Sequence, residues 1–144
     1  MNNRFKFRIW DKERKNMFCP KDKENDFIEI DCDGELHGYD TCLWVGGVNS
    51  IPMQCTGLKD KNGTLIYEGD IIETLHLDPV RRGNIEWRDK YLQWFIDFSR
   101  VYGKAEYNYY CEELCGFNSK DIEVIGNVYE NPELLKGEKN ERQI

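Results

Sequence analysis

Alternating apolar and polar positions near the start of the chain predict a β-strand. In "RFKFRIW" (residues 4–10) apolar residues alternate with charged ones, and Trp10 falls on the charged face. A period of two is typical of a strand that buries one face. The polar segment after it and the short apolar segment "MFCP" predict a return strand that Pro20 ends. The chain is therefore predicted to begin with a β-hairpin whose buried face holds Phe5, Phe7 and Ile9.

The pattern is much weaker between residues 21 and 50. The charged segment 21–26 predicts a loop, and "FIEI" (27–30) predicts one short strand. Residues 31–50 contain four glycines, several acidic residues and no sustained period. An irregular segment is predicted there.

From Ile51 the strand pattern returns and continues over most of the remaining chain. We predict strands in five segments, "IPMQCTGL", "TLIYEGDIIETL", "GNIEW", "YLQWFIDF" and "DIEVIGNVYE". The fourth segment is predicted to present a core face made of Leu92, Trp94, Ile96 and Phe98.

Three glycines in "TGLKDKNGTLIYEGDII" (56–72) raise the question of a phosphate-binding loop. They are six residues apart and strand patterns follow them, whereas phosphate loops need closely spaced glycines at a helix N-terminus. The phosphate hypothesis is therefore rejected. Asn62 and Gly63 predict a tight turn with positive φ at both central residues, and Gly69 predicts a bend within one long strand.

Helical patterns are confined to two short segments near the C-terminus. Residues 105–116 are ambiguous, although Cys111 and Leu114 fall at helical spacing with two tyrosines. "NPELL" is typical of a helix start, with Asn131 as the N-cap and a proline at the first helical position.

These patterns predict a mainly β fold with minor α content (α+β). It combines an N-terminal β-hairpin region with a strongly bent sheet or small SH3-like barrel in the second half. The predicted domains are an N-terminal β-rich subdomain with an irregular loop (1–50), a C-terminal small β-barrel-like subdomain (51–135) and a flexible tail (136–144). The length of 144 residues suits one domain or two very small ones.

Composition adds nothing to the predicted fold, but it argues against a disordered, a membrane-spanning or a secreted protein. The hydrophobic share of 40% and the charged share of 33% predict a globular chain rather than a disordered one. No apolar run approaches the roughly 20 residues of a membrane span, and the start of the chain lacks the apolar core of a signal peptide. A cytoplasmic location without membrane contact is expected. The net charge of −7 argues against non-specific coating of nucleic acid.

Cysteine and histidine supply little evidence for chemistry. The six cysteines are expected to be reduced and mostly buried, because no secretion signal accompanies them. Cys111 and Cys115 are spaced almost like a zinc knuckle without a second close pair, and whether they bind metal stays open. The two histidines belong to no catalytic motif. No catalytic residue, metal site or cofactor is predicted.

A candidate interaction surface comes from aromatic and basic residues. Trp10 and Trp87 are expected to be partly exposed, and the neighbouring Arg81 and Arg82 lie in a loop before a strand. Exposed aromatic rings beside arginines suit a protein interface or single-stranded nucleic acid. These four residues are therefore the predicted interaction surface.

Three segments together resemble the YopX-like family of phage and prophage proteins. They are "KFRIWDKERKNM", "MQCTGLKDKNGTLIYEGDII" and "IEVIGNVYENPELL", in the family's order and spanning residues 6–135. The resemblance implies phage or prophage origin and transfers no catalytic or binding residue. The leading hypothesis is a non-enzymatic protein-interaction or self-associating module, a homo-oligomer with an unidentified host or phage partner, in the bacterial cytoplasm. The alternative is a nucleic-acid-binding protein in phage replication or gene expression.

Overall fold

The computed structural model describes residues 3–20, 27–33, 36–40, 43–46, 49–77, 80–102 and 111–136. The chain divides into two compact units, residues 1–57 and 58–144, each described by itself below. Strands of the first unit are β1 (Phe7–Asp11), β2 (Asn16–Phe18), β3 (Phe27–Ile30), β4 (Leu36–Asp40), β5 (Leu43–Gly46) and most of β6 (Ser50–Lys59). Those of the second are β7 (Leu65–Tyr67), β8 (Asp70–Thr74), β9 (Arg81–Arg88), β10 (Gln93–Asp97), β11 (Cys111–Glu113) and β12 (Ile122–Asn127). One short helix, α1 (Ser99–Tyr102), and four 3₁₀ turns complete the described part.

In the first unit, β1 pairs antiparallel with β2 on one side and with β6 on the other. Asp11 shapes the β1–β2 hairpin, because its carboxylate accepts the backbone N–H groups of Glu13 and Arg14, both at 2.9 Å. The predicted hairpin is confirmed, but β1 begins only at Phe7. Phe5 lies in a 3₁₀ turn with 64% of its surface exposed, so its predicted place on the buried face is wrong.

The segment predicted to be irregular contains two strands. β4 pairs antiparallel with β3 and with β5, which makes a three-stranded sheet. The prediction for 31–50 is wrong because the backbone hydrogen bonds of the sheet outweigh the weak strand preference of glycine. Gly38 and Gly46 both lie in these strands.

The second unit contains a five-stranded antiparallel sheet in the order β11-β10-β9-β8-β12. Its buried core cluster consists of Ile66, Ile72, Ile85, Ile96, Phe98, Leu114 and Ile122. The backbone of β9 comes very close to β10 at Gly83, where an added Cβ would lie 2.7 Å from Ile96 Cγ2 and 2.8 Å from the Asp97 carbonyl oxygen. Only glycine fits that position.

Gly69 and the turn at Asn62-Gly63 each differ in one respect from the prediction. Gly69, at φ 77°, lies between β7 and β8, so the long bent strand is in fact two strands joined by a turn. In the other turn Gly63 has φ 79°, whereas Asn62 is not among the described residues with positive φ. The tight turn is confirmed and its predicted positive φ at both central residues is wrong.

The Asn62 turn is organised by the buried carboxylate of Asp60. It accepts hydrogen bonds from the backbone N–H groups of Asn62, Thr64 and Val124, each at 2.9 Å. Burial by itself raises the pKa of Asp60, but these hydrogen bonds to the charged form outweigh it, and the pKa is lowered. One side chain thus fixes both the turn and its attachment to β12.

The two C-terminal segments with helical patterns contain no α-helix in their described residues, and residues 105–110 of the first lie outside them. Residues 111–113 form a strand and Leu114–Gly116 a 3₁₀ turn, so the helical spacing there does not correspond to an α-helix. Pro132–Leu135 is also a 3₁₀ turn. Asn131 makes no N-cap side-chain hydrogen bond, and its Oδ1 accepts the backbone N–H of Asn127 at 3.3 Å.

The predicted mainly β fold with minor α content is confirmed. An SH3-like barrel stays a prediction, as do the domain limits 1–50 and 51–135; residues 137–144 of the predicted tail lie outside the described residues. Within the described ranges, no helix has the length and apolar character needed to cross a membrane.

Candidate interaction site

The four residues of the predicted interaction surface belong to different units. Trp10 lies in the first unit with only 8% of its surface exposed, so its predicted partial exposure is wrong. The other three lie on β9, with Arg81 and Arg82 at its start and Trp87 near its end. Six residues of extended strand separate Arg81 from Trp87 by roughly 20 Å. Arginines and tryptophan therefore do not form one compact patch.

Both arginines are engaged with carboxylates. Arg81 Nη2 lies 2.6 Å from Glu112 Oε1, and the guanidinium also stands over the ring of Phe98 at 4.7 Å. Arg82 Nε lies 2.8 Å from Glu73 Oε1 on the neighbouring strand. Each pair is locally close to neutral, which reduces its attraction for a phosphate.

The other end of β9 presents a different surface, which we call the hairpin tip and define as Trp87, Tyr91 and Leu92. It lies where β9 turns into β10, and the exposed fractions of these residues are 40%, 51% and 76%. Trp87 is paired with Trp94 and Glu86 with Phe95, so Trp87 and Tyr91, which packs on Phe95, flank opposite faces of the hairpin end. The tip is the strongest candidate site in the described part of the chain.

Leu92 owes its exposure to the shape of the turn. The backbone N–H groups of Tyr91 and Leu92 both donate to the Arg88 carbonyl oxygen, at 3.0 and 2.9 Å. Leu92 closes the turn with φ 52°, in the left-handed region that glycine and asparagine favour. An exposed leucine at such a position serves neither the core nor the backbone. Strained residues of this kind are often retained for function.

Each of the two tip aromatics is held by an aromatic ring of β10, Trp87 by the half-buried Trp94 and Tyr91 by the buried Phe95. Trp87 meets Trp94 edge to face with ring centres 5.2 Å apart, and its indole N–H donates to Asp89 at 2.9 Å. Tyr91 packs against Phe95 at 5.3 Å. The tip is therefore preorganised, which lowers the entropy lost when a partner binds.

Arg88 fixes the base of the tip. Its guanidinium contacts Glu86 Oε1 at 2.5 Å and Cys111 Sγ at 2.7 Å, and it lies over the ring of Phe95. Burial lowers the pKa of Arg88, but Glu86 and Cys111 raise it more, and the pKa is raised overall. The cation thus stays charged and links β9, β10 and β11.

Cysteine pairing and metal binding gain no support from the described residues. Of the five described cysteines Cys55 is buried, Cys111 half-buried and the other three exposed, so the predicted burial of most cysteines is wrong; none of the five forms a disulfide. Among the residues that the structure describes, no group of three or more His, Cys, Asp or Glu side chains could hold a metal ion.

Sequence reasoning found Trp87 and missed Tyr91 and Leu92. Alternation placed Leu92 on the core face of the following strand, and that prediction is wrong because β10 begins only at Gln93. The only sequence signal for the exposure of Leu92 was the polar turn just before it. A residue at the end of a turn can lie outside the alternation of the strand that follows.

Comparisons with known proteins agree with this fold. A sequence model described as YopX protein matches residues 6–136. The crystal structure of protein yopX from Bacillus subtilis is similar to this fold, with a TM-score of 0.62 and 25% sequence identity. The match covers 94% of this chain and 100% of the yopX chain. The crystal structure of protein EF1440 from Enterococcus faecalis matches with a TM-score of 0.56 and 26% sequence identity. This match covers 91% of this chain and 97% of the EF1440 chain. No curated protein matches the chain.

Proposed function

Since the chain belongs to the YopX family, we propose that it is a non-enzymatic protein-interaction module of this family that binds through the hairpin tip. The observation that carries the proposal is Leu92, which is 76% exposed at φ 52°. Folding alone would select glycine or asparagine there. A leucine at this position is explained if its side chain is buried by another protein.

The surroundings of Leu92 support the same function. Tryptophan and tyrosine dominate the energetic centres of protein interfaces, and an arginine is often beside them. Trp87 and Tyr91 supply these rings at the tip, and Arg88 anchors its base. Because the rings already rest on Trp94 and Phe95, they can bind without large rearrangement.

The nucleic-acid alternative is less well supported by the same residues. Arg81 and Arg82 would have to exchange their carboxylate partners, Glu112 and Glu73, for phosphates. The net charge of −7 would oppose this exchange at long range. A mobility shift that weakens steeply with salt and is lost in Arg81→Glu/Arg82→Glu would instead favour nucleic acid.

Site-specific photo-crosslinking in bacterial cells tests the proposal. A photoreactive phenylalanine replaces Tyr91 in the full chain, and the same group at exposed Lys120 is the matched control. We expect discrete protein adducts from position 91 and none of the same mass from position 120. Adding Leu92→Gly should abolish the adducts from position 91. Equal adducts from both positions, or none from position 91, would contradict the proposal.

A further inference from the structure

The turn that follows Asp60 contains the dipeptide Asn62-Gly63, and Asn62 is the only asparagine in the chain that a glycine follows. Asparagine is a thermolabile residue, because the backbone nitrogen of the next residue can attack its side-chain carbonyl carbon. Glycine hinders that attack least, since it has no side chain. Both residues are exposed, and nothing lies within 4 Å of the position that a Cβ would take at Gly63. The local chemistry therefore favours modification of Asn62.

The reaction is a deamidation and needs only water as co-reactant. The Gly63 backbone nitrogen loses its proton and bonds to Asn62 Cγ, while the bond from Cγ to Nδ2 breaks and that nitrogen leaves as ammonia. Water then opens the resulting succinimide ring. Breaking the new bond to Cγ gives aspartate, whereas breaking the original peptide bond gives isoaspartate, whose backbone runs through the former side chain. Either product has a carboxylate in place of the amide.

The folded turn opposes the first step at both reacting groups. The Gly63 N–H donates to the Asp60 carbonyl oxygen at 3.0 Å, which engages the attacking nitrogen. Asn62 Nδ2 donates to Glu123 Oε1 at 3.1 Å, and the Asn62 backbone N–H donates to Asp60 Oδ1 at 2.9 Å. Rotation of the Asn62 side chain towards the Gly63 nitrogen breaks its bond to Glu123. The reaction therefore requires the turn to open first.

The product fits the closed turn less well than asparagine does. Glu123 is held beside the turn by Lys61, whose Nζ lies 2.7 Å from Oε2. After deamidation a carboxylate at residue 62 faces the Glu123 carboxylate, so a hydrogen bond is replaced by repulsion between like charges. Isoaspartate also lengthens the backbone between Asp60 and Gly63. Refolding does not reverse either change.

We propose that Asn62 is a self-modification site, which the closed turn protects and which opening of the turn exposes to deamidation. In the unmodified chain the turn covers β12, because the Lys61 N–H donates to the Ile122 carbonyl oxygen and the Asp60 carboxylate accepts the Val124 N–H. Modification loosens this attachment irreversibly and uncovers an edge of the sheet. The inference concerns the turn alone and is independent of the hairpin tip.

Peptide mapping by mass spectrometry measures the modification in full-length protein kept at mildly alkaline pH. The acid differs from the amide in mass, and isoaspartate differs from aspartate in chromatographic retention. We expect residue 62 to deamidate at least about tenfold more slowly in folded protein than in the urea-unfolded chain. Gly63→Ala should suppress the reaction in the unfolded chain. Equal rates in the two states would overturn protection by the turn, and an inert Asn62 in the unfolded chain would overturn the site.

Two variants open the turn to different extents. Glu123→Ala releases the Asn62 side chain and should accelerate deamidation of folded protein about two- to fivefold, as expected for an exposed charged partner. Asp60→Asn weakens the buried attachment and should accelerate it about tenfold. Gly83→Ala is the matched control, because it disturbs β9 and β10 and leaves the turn intact. If Gly83→Ala accelerates the reaction as much as Asp60→Asn, global unfolding rather than opening of the turn controls it, and the proposed gating is wrong.

Asn62→Asp tests the consequence of modification, with Asn62→Ala as the control that loses the hydrogen bond and adds no charge. The Lys61 and Val124 amides should exchange with deuterated solvent about twofold or more faster in Asn62→Asp than in Asn62→Ala. High salt should reduce this difference, because it screens the repulsion from Glu123. Equal exchange in the two variants would overturn the loosening by charge.

Discussion

At Leu92 the demands of folding and of surface chemistry are opposed. A non-glycine residue at positive φ loses roughly 1–2 kcal/mol of stability, and little burial offsets this at 76% exposure. Leu92→Gly is therefore expected to raise the free energy of unfolding by about 0.5–1 kcal/mol, after the larger chain entropy of glycine is included. Urea denaturation measures this change.

Tyr91→Gly is the matched control for Leu92→Gly. It lies in the same turn, is not among the residues with positive φ and packs its ring on Phe95, so the exchange should lower stability through both chain entropy and lost packing. If both variants destabilise the protein equally, the strain assigned to Leu92 is wrong.

Asp60 is a buried charge that the fold of the second unit uses. Only 3% of it is exposed, yet it stays ionised because three backbone N–H groups donate to its carboxylate. Asp60→Asn keeps the shape but directs an NH₂ group at one of these donors. We expect a loss of about 1–3 kcal/mol of unfolding free energy at pH 7.

The same residue gives stability a defined dependence on pH. The pKa of Asp60 is lower in the folded than in the unfolded chain, so its contribution is fully present above the unfolded value of about 3.9. It is lost as the pH falls through the folded pKa. Denaturation of wild type and Asp60→Asn at several pH values should show their difference shrinking below about pH 4. Asp33→Asn, at an exposed position, should change stability by less than about 0.5 kcal/mol throughout; a constant Asp60 difference would contradict this assignment.

At the scale of the element, β9 and β10 can approach closely only because residue 83 lacks a side chain. In Gly83→Ala the new Cβ would meet the Asp97 carbonyl oxygen at 2.8 Å, and backbone cannot move aside as a flexible side chain can. A loss of about 1–3 kcal/mol is expected, measured by thermal or urea unfolding. Gly116→Ala is the control, since nothing lies within 4 Å of its added Cβ. Equal effects of the two exchanges would exclude close packing as the cause.

Strand β12 illustrates how an edge of the sheet is covered. The Ile122 carbonyl oxygen accepts the Lys61 N–H at 3.0 Å, and the Val124 N–H donates to Asp60. Hydrogen bonds from Lys61 and Asn62 also lower the pKa of Glu123 on this strand. These backbone groups are therefore not available to pair with a strand of another chain, which is how proteins prevent edge-to-edge aggregation.

At the scale of the whole molecule, the two units have cores of different size. The cluster in the second unit contains seven buried residues, whereas the described part of the first unit has Ile9 and Phe18 with Ile28 packed against them. Stability in a chain of this kind need not be uniform. Amides of β8, β9 and β10 are expected to exchange most slowly with deuterated solvent, and those of β1 faster.

Ile85→Ala should reveal which amides depend on the larger core. The exchange removes most of a fully buried side chain and should lower the opening free energy of β8–β10 by about 2–5 kcal/mol. Hydrogen exchange followed by mass spectrometry measures it, with Ile9→Ala as the equivalent change in the first unit. Equal protection of β1 and of β8–β10 in the wild type would mean that the chain opens as one unit.

Much of the fold follows from local pattern. Alternation located β1, because a strand with one buried face needs an apolar residue at every second position, and short apolar segments between polar turns located β2 and β3. Asn62-Gly63 identified its turn, since glycine alone reaches φ 79° without strain. The family also followed from sequence, because three segments in fixed order are specific as a set.

Tertiary structure decided what local pattern could not. β4 and β5 exist because they pair with each other and with β3, whereas their own sequences, LHGYD and LWVG, contain glycines and no period of two. Trp10 is buried although alternation put it on the polar face, because both faces of β1 are covered at that end. Leu92 is an apolar residue of the kind that usually lies in a core. The turn between β9 and β10 takes it out of the strand register and exposes it. Sequence thus determined the strands and the family, whereas the hydrogen bonds of one turn decided which apolar residue lies at the surface.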